Sequence, residues 1–278
     1  MNSVAFSTCG GYVYTGRDKT INCFPIDRPD AKSSFTLGTK PDNVPKKSIK
    51  ADYKAKHMLH GIQSTIAPHP KSFYLLATGS YSGQLALLDA RLNKIPTRID
   101  TAHPRGITQV KWLNEWQILS GARKGDSSIR LWDLRYLDKD NPALDFSVCD
   151  YTGSSLEASS LFMRDVQTHQ KIEFDVMQNR YVVTGLPSGG YRVFDTKTTE
   201  FVSQGVDFKE NCDNSSVVSV SVPNYPESDC TKILSVSGER QLPRFDEFVD
   251  SDDEGMSFEV PTSCNQIRLD KLNFELIN

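Results

Sequence analysis

The sequence predicts an all-β fold, a WD-repeat β-propeller of about five blades. Three observations predict it. A two-strand unit recurs along the chain, helical periodicity is almost absent, and one copy of the unit ends on Trp132-Asp133.

The first copy runs from Tyr12 to Asp27. An apolar strand ends at Thr15-Gly16, Arg17-Asp18-Lys19 turns the chain, and a second strand closes through Phe24 to Asp27. The second copy, Tyr74 to Asp89, turns at Tyr81-Ser82-Gly83. The third, Ile118 to Asp133, turns at Arg123-Lys124-Gly125, and the fourth runs from Tyr181 to Asp195. An eroded fifth runs from Lys232 to Arg240. Each unit follows another short β-rich run: Ser3–Ser7, Gly61–Ala67, Gly106–Trp112, Lys171–Val176 and Ser216–Val222. Short strands at regular intervals between turn residues mark a sheet protein built from repeats.

Only the step from Asp89 to Asp133 matches a bare repeat of about 40–45 residues. The longer steps carry inserted loops near 38–58, 136–168 and 241–262. The first is lysine-rich, with Lys40, Lys46, Lys47, Lys50, Lys54 and Lys56. The second is polar, and the third contains the acidic run 245–255. There Ser251, followed by Asp252-Asp253-Glu254, suits an acid-directed kinase. At about 42 residues per blade, 278 residues would fill six or seven blades. With the insertions removed, residues 1–278 read as a partial propeller.

Composition narrows the chemistry. A net charge of −3 argues against a wholesale nucleic-acid coat and leaves room for a local basic patch. No apolar run approaches the roughly 20 residues of a membrane-spanning helix, and Met1–Ser7 lacks the pattern of a secretory leader. The six cysteines form no Cys-x-x-Cys pair and read as small buried or half-buried reduced thiols; the five histidines show no zinc spacing. Phosphate-loop, dinucleotide and nucleophile-elbow motifs are absent. The expectation is a non-enzymatic protein without metal or cofactor.

The third unit carries a recognisable structural set. His103, Ser120, Asp126 and Trp132 stand where a WD blade places a loop His, a strand Ser, a turn Asp and a strand Trp. A buried indole N–H and a buried imidazole each need a partner, which explains that combination.

In a propeller the turns between second and third strands share one face. They bring Arg17, Lys19, Tyr81, Arg123, Lys124 and Arg240 toward one rim, against the acidic Asp18, Asp126 and Glu239. Cations with an aromatic ring suit single-stranded RNA, because phosphate is neutralised while an unstacked base lies on the ring. Two other readings stay open: salt links between blades, and a protein-binding rim.

The chain also resembles a known family. Ala77-Thr-Gly-Ser-Tyr-Ser-Gly-Gln-Leu-Ala-Leu-Leu88, Gly106-Ile-Thr108, Leu119-Ser-Gly-Ala-Arg-Lys124, Leu131-Trp-Asp-Leu-Arg135, Gln170–Asp175, Ser237-Gly-Glu-Arg240 and the acidic Ser251–Gly255 carry the likeness. In this order they resemble the telomerase Cajal body protein family, WD-repeat RNA chaperones of small Cajal body RNPs. The likeness covers most of 1–258 outside the inserted loops, and it implies that the N-terminal blades of the family's propeller are missing here. It implies a scaffold that binds small Cajal body RNA and telomerase RNA, with box H/ACA core proteins such as dyskerin and the telomerase RNP as partners. It also implies residence in the nucleus and Cajal body and a role in telomere maintenance. From the family motif, Ala122-Arg123-Lys124 supplies two of the candidate RNA-binding residues. The alternative is a general WD-repeat protein–protein adaptor.

Overall fold

The computed structural model describes residues 3–27, 35–38, 58–123, 125–135, 151–153, 158–164, 171–187, 189–204, 217–222, 230–237 and 266–273. The described residues form five sheets stacked in chain order. The first is β1 (Ser3–Phe6), β2 (Tyr12–Gly16), β3 (Ile21–Pro25) and β4 (Phe35–Leu37), antiparallel throughout. The second is β5 (Gln63–Pro68), β6 (Leu75–Ser80), β7 (Leu85–Asp89) and β8 (Lys94–Ile99), with β12 (Tyr151–Gly153) added outside β8. The third is β9 (Ile107–Trp112), β10 (Gln117–Ala122), β11 (Ser128–Asp133) and β13 (Ser160–Met163). The fourth runs β14 (Phe174–Met177), β15 (Tyr181–Gly185), β16 (Tyr191–Asp195) and β17 (Phe201–Gln204). The last is β18 (Val217–Ser221), β19 (Cys230–Ser237) and β20 (Gln266–Asn273).

Why these residues make blades follows from burial. The middle strands β6 and β7 are buried at every position, because their sheet is covered on both faces by its neighbours. A strand buried on two faces reads as a nearly continuous apolar run, and Leu75-Leu76-Ala77 and Leu85-Ala86-Leu87-Leu88 do so. Four apolar layers hold the stack. Tyr14, Ile21 and Cys23 meet Leu76, Ala86 and Leu88 between the first two sheets. Ala77, Leu85 and Leu87 meet Ile107, Val110 and Trp132 between the second and third. Leu119, Ile129 and Phe162 meet Phe174 and Val182, and Val183 and Val193 meet Val217 and Ile233, further along. Each Val, Leu, Ile or Phe among these, once buried, contributes roughly 1.5–3 kcal/mol.

Two readings of the sequence change here. The stretch 136–168, expected as loop, supplies two strands. β13 is the outer strand of the third sheet, while β12 pairs in parallel with β8 of the preceding one, Tyr151 opposite Thr97. Their three and four residues, set in a polar context, are too short to display a period. The cysteines also divide. Cys23 is buried, and burial pushes its thiol up to about 12, whereas Cys9 is exposed.

Candidate nucleic-acid interface

Sheet direction places the turns. In each of the first four sheets the second strand rises to a tight turn and the third returns, so those turns lie at one end of the stack. The loop entering each inner strand lies at that same end, since Ile107 opens β9 opposite Ala122, the last residue of β10. Backbone hydrogen bonds tie turn to loop: Lys19 N–H donates to Gly61 O, Tyr81 N–H to Ile62 O, and Arg123 N–H to Gly106 O, at 2.9, 3.0 and 3.1 Å. Gly83 fits its turn because its φ is +85° and a Cβ there would lie 2.2 Å from His103 O. The corresponding position in the first turn is Lys19, which adopts φ 57° without glycine's freedom.

Beneath the third turn lies the four-residue set. Trp132 Nε1–H donates to Ser120 Oγ at 2.8 Å, and Ser120 Oγ lies 2.7 Å from His103 Nε2. His103 Nδ1 lies 2.7 Å from the Asp126 carboxylate, which also accepts from Ser128 N–H and its hydroxyl. One proton arrangement satisfies every atom: Ser120 donates to Nε2, and Nδ1–H donates to Asp126. Burial holds the His103 pKa below its ordinary value, which favours this neutral ring. Burial alone would raise the Asp126 carboxyl, but its hydrogen bonds from His103 and Ser128 outweigh that and hold it well below the usual range. The set is a brace across one blade, running from its third strand to the loop that enters it.

The rim residues sit above this brace. Arg17, Lys19 and Arg123 are exposed, and Tyr81 retains 42% of its surface. The structure brings Tyr81 and Arg123 together from adjacent sheets, with the guanidinium carbon 5.8 Å from the ring centroid. Arg17 and Lys19 sit one sheet away, and the bridge between Asp18 and Ile62 links their turn to the Tyr81 turn. Lys124, Arg240 and Ser251 lie outside the described residues. The turn residues alone missed Arg105. It is exposed, lies in the loop between the buried His103 and β9, and its Nε is 2.9 Å from where a Cβ on Gly125 would stand. The signal was its place two residues after His103, in a loop that shares the face of the turns.

Among the described residues, Arg17, Lys19, Arg105 and Arg123 take part in no ion pair. The opposite end of the stack differs. There Asp89, Asp133 and Asp195, which close the third strands, hold Arg91, Arg135 and Arg180 at 3.0, 2.6 and 2.6 Å. One further cation is structural. Arg164 is buried, donates to Ile172 O and Ala122 O, and so pins the fourth sheet's entry to the third; burial lowers its pKa to about 10.

A cleft of about 430 Å³ opens between inner strands near Trp112 and Asn179. Its charged pair, Lys111 and Asp175, is closed at 2.6 Å, and Asp175 also accepts Val222 N–H. That carboxylate is occupied in joining the inner strands.

Solved structures share this arrangement. The chain matches the WD40 β-propeller domain of Doa1 with a TM-score of 0.52, at 14% identity over 86% of this chain and 61% of that one. It matches a chain of the mitotic checkpoint complex with a TM-score of 0.54, at 16% identity over 84% of this chain and 58% of that one. The fold is that of a WD-repeat propeller. The chain spans about three fifths of the length of these propeller-containing chains. No family model and no curated protein matches the sequence. The five sheets are therefore blades, and the cation-bearing end is the propeller face formed by turns and blade-entry loops.

Proposed function

We propose that this propeller is a non-enzymatic scaffold that binds RNA on its turn face. The observation that carries the reading is the set of four exposed cations at that end without carboxylate partners among the described residues, one of them facing an exposed tyrosine. Cations already paired with carboxylates contribute little to a polyanion, whereas free ones release counterions on binding. The resemblance to telomerase Cajal body proteins supplies the target class: small Cajal body RNAs, including telomerase RNA. It also supplies the setting, which is nuclear RNPs with dyskerin-type core proteins, delivered to Cajal bodies in support of telomere maintenance.

The test is affinity of the full chain for a small Cajal body RNA hairpin loop across a salt series. Arg123→Ala with Lys124→Ala weakens binding and flattens the salt dependence if the turn face holds the RNA. Unchanged affinity at every salt concentration sinks the reading.

A second reading, a protein–protein adaptor, has its own observation. The outward face of the first blade exposes Val4 and Phe6, at 52% and 67%. A stable protein partner that survives nuclease treatment and is lost on Phe6→Ser favours that reading instead.

A further inference from the structure

Two arginine–tyrosine contacts in this chain differ in a way that suggests what the turn face does with a nucleotide. Arg91 lies 3.3 Å from the Tyr74 ring centroid, a closed stack, and its guanidinium is anchored by Asp89. Arg123 stands 5.8 Å from the Tyr81 centroid, and no carboxylate among the described residues holds it. A flat base needs about 3.4 Å on each side, hence a gap near 7 Å between ring and guanidinium. The Arg123–Tyr81 pair is therefore about an ångström short of open, and only a free arginine must move.

The walls of this gap are fixed by backbone. A Cβ on Gly106 would lie 2.7 Å from Tyr81 O, so the tyrosine turn rests directly on the loop that carries Arg105. His103 N–H donates to Gly83 O at 3.1 Å, which ties the same turn to the braced histidine. Arg105 crosses the far turn over Gly125. Thus Tyr81 from one blade, and Arg105 and Arg123 from the next, converge at a single junction.

We propose that this junction is a one-nucleotide clamp: an unstacked base enters between the Tyr81 ring and the Arg123 guanidinium, and Arg105 binds the adjoining phosphate. The clamp deepens the RNA reading and rests on it. The chemistry of stacking makes it tolerant of base identity, because every base presents a π-face. The neighbouring blade junction offers no equivalent, since Arg17-Asp18-Lys19 there brings an acid and no ring.

The probe is the small Cajal body RNA hairpin of the preceding test, whose stem fixes the register of its unpaired loop nucleotides, tested with the full chain. It is compared with a set in which each loop nucleotide in turn is made abasic. With the unmodified chain, one abasic position weakens binding on the order of tenfold. Tyr81→Ala weakens the intact RNA by a similar factor and abolishes the difference between intact and abasic RNA, while Tyr81→Phe retains both. Arg105→Gln reduces the salt slope by about 0.7 for one phosphate contact and leaves the abasic difference in place. If RNA binds but no abasic position responds to Tyr81→Ala, the clamp is wrong and the broader RNA reading survives. If the unmodified chain binds no RNA at any salt concentration, both fall together. Circular dichroism of each variant establishes that the fold is intact, as expected for exposed residues.

Discussion

The two ends of the blades use the same residue types for opposite purposes. At the strand-closing end, arginine is held. Arg180 meets Asp195 at 2.6 Å while Lys197 N–H donates to the same carboxylate, and Arg135 meets Asp133 in the same manner. At the turn end, Arg17, Lys19, Arg105 and Arg123 project without an ion pair among the described residues, and a buried His–Asp–Ser–Trp brace lies beneath the third turn. The difference shows that abundance of cations is not what marks an interface. What marks it is whether the fold has already supplied their counter-charges. A carboxylate two residues before an arginine closes the pair locally, whereas the carboxylate of the third turn, Asp126, is turned inward to His103 and Ser128.

The largest test breaks the brace. His103→Ala leaves Ser120 and Asp126 buried with lost partners, and is expected to cost about 2–5 kcal/mol in chemical denaturation. RNA affinity should fall with it, because the loop carrying Arg105 loses its anchor. A loss below about 0.5 kcal/mol would show that the turn end does not depend on the brace.

Acid probes the same brace with a defined sign. The folded pKa of His103 lies below its ordinary 6.5, so the unfolded chain binds a proton first as pH falls, and stability drops from about that value downward. The folded pKa of Asp126 is also depressed, so its contribution is present above the ordinary 3.8 and is lost as pH falls further. The two windows add in the same direction. His103→Gln should remove the upper one, read as a flatter stability profile between about pH 6.5 and 5.

A smaller effect is expected at the paired end. Asp195→Asn weakens the hold on Arg180 and the Lys197 N–H, and solvent screening limits the loss to about 1 kcal/mol. It should leave RNA affinity unchanged, which is the sharpest contrast with Arg123→Ala. That variant is expected to shift stability by less than about 0.5 kcal/mol while weakening RNA. Equal effects of both changes on RNA would erase the distinction between the two ends.

A final effect has the opposite sign. Lys19 holds φ 57° on a residue with a Cβ, so Lys19→Gly should stabilise the first turn by up to about 1 kcal/mol. If Lys19 contacts phosphate, the same change lowers the salt slope by about 0.7. Stability and binding would then move apart at one position.

Much of this was legible in the residues. The strand pairs β2–β3, β6–β7, β10–β11 and β15–β16 are the recurring units, and the four brace residues stood at recognisable places within one of them. Strands β12 and β13 were hidden because three or four residues in a polar stretch carry no readable period. Arg105 was hidden because its loop reaches the turn face only through tertiary hydrogen bonds, such as Arg123 N–H to Gly106 O. Arg164 gave no signal at all, as nothing local announces an arginine whose two terminal nitrogens reach carbonyls on different blades.

Sequence alone determined the β-sheet class, the repeat and the brace, because those depend on patterns within some forty residues of chain. Only the tertiary structure decided which cations are free. Pairing depends on the direction of a carboxylate, and Tyr81 meets Arg123 only because adjacent blades pack through Ile107, Leu85 and Leu87. Contacts between units far apart in the chain are set by how apolar faces stack, and no local spacing encodes them.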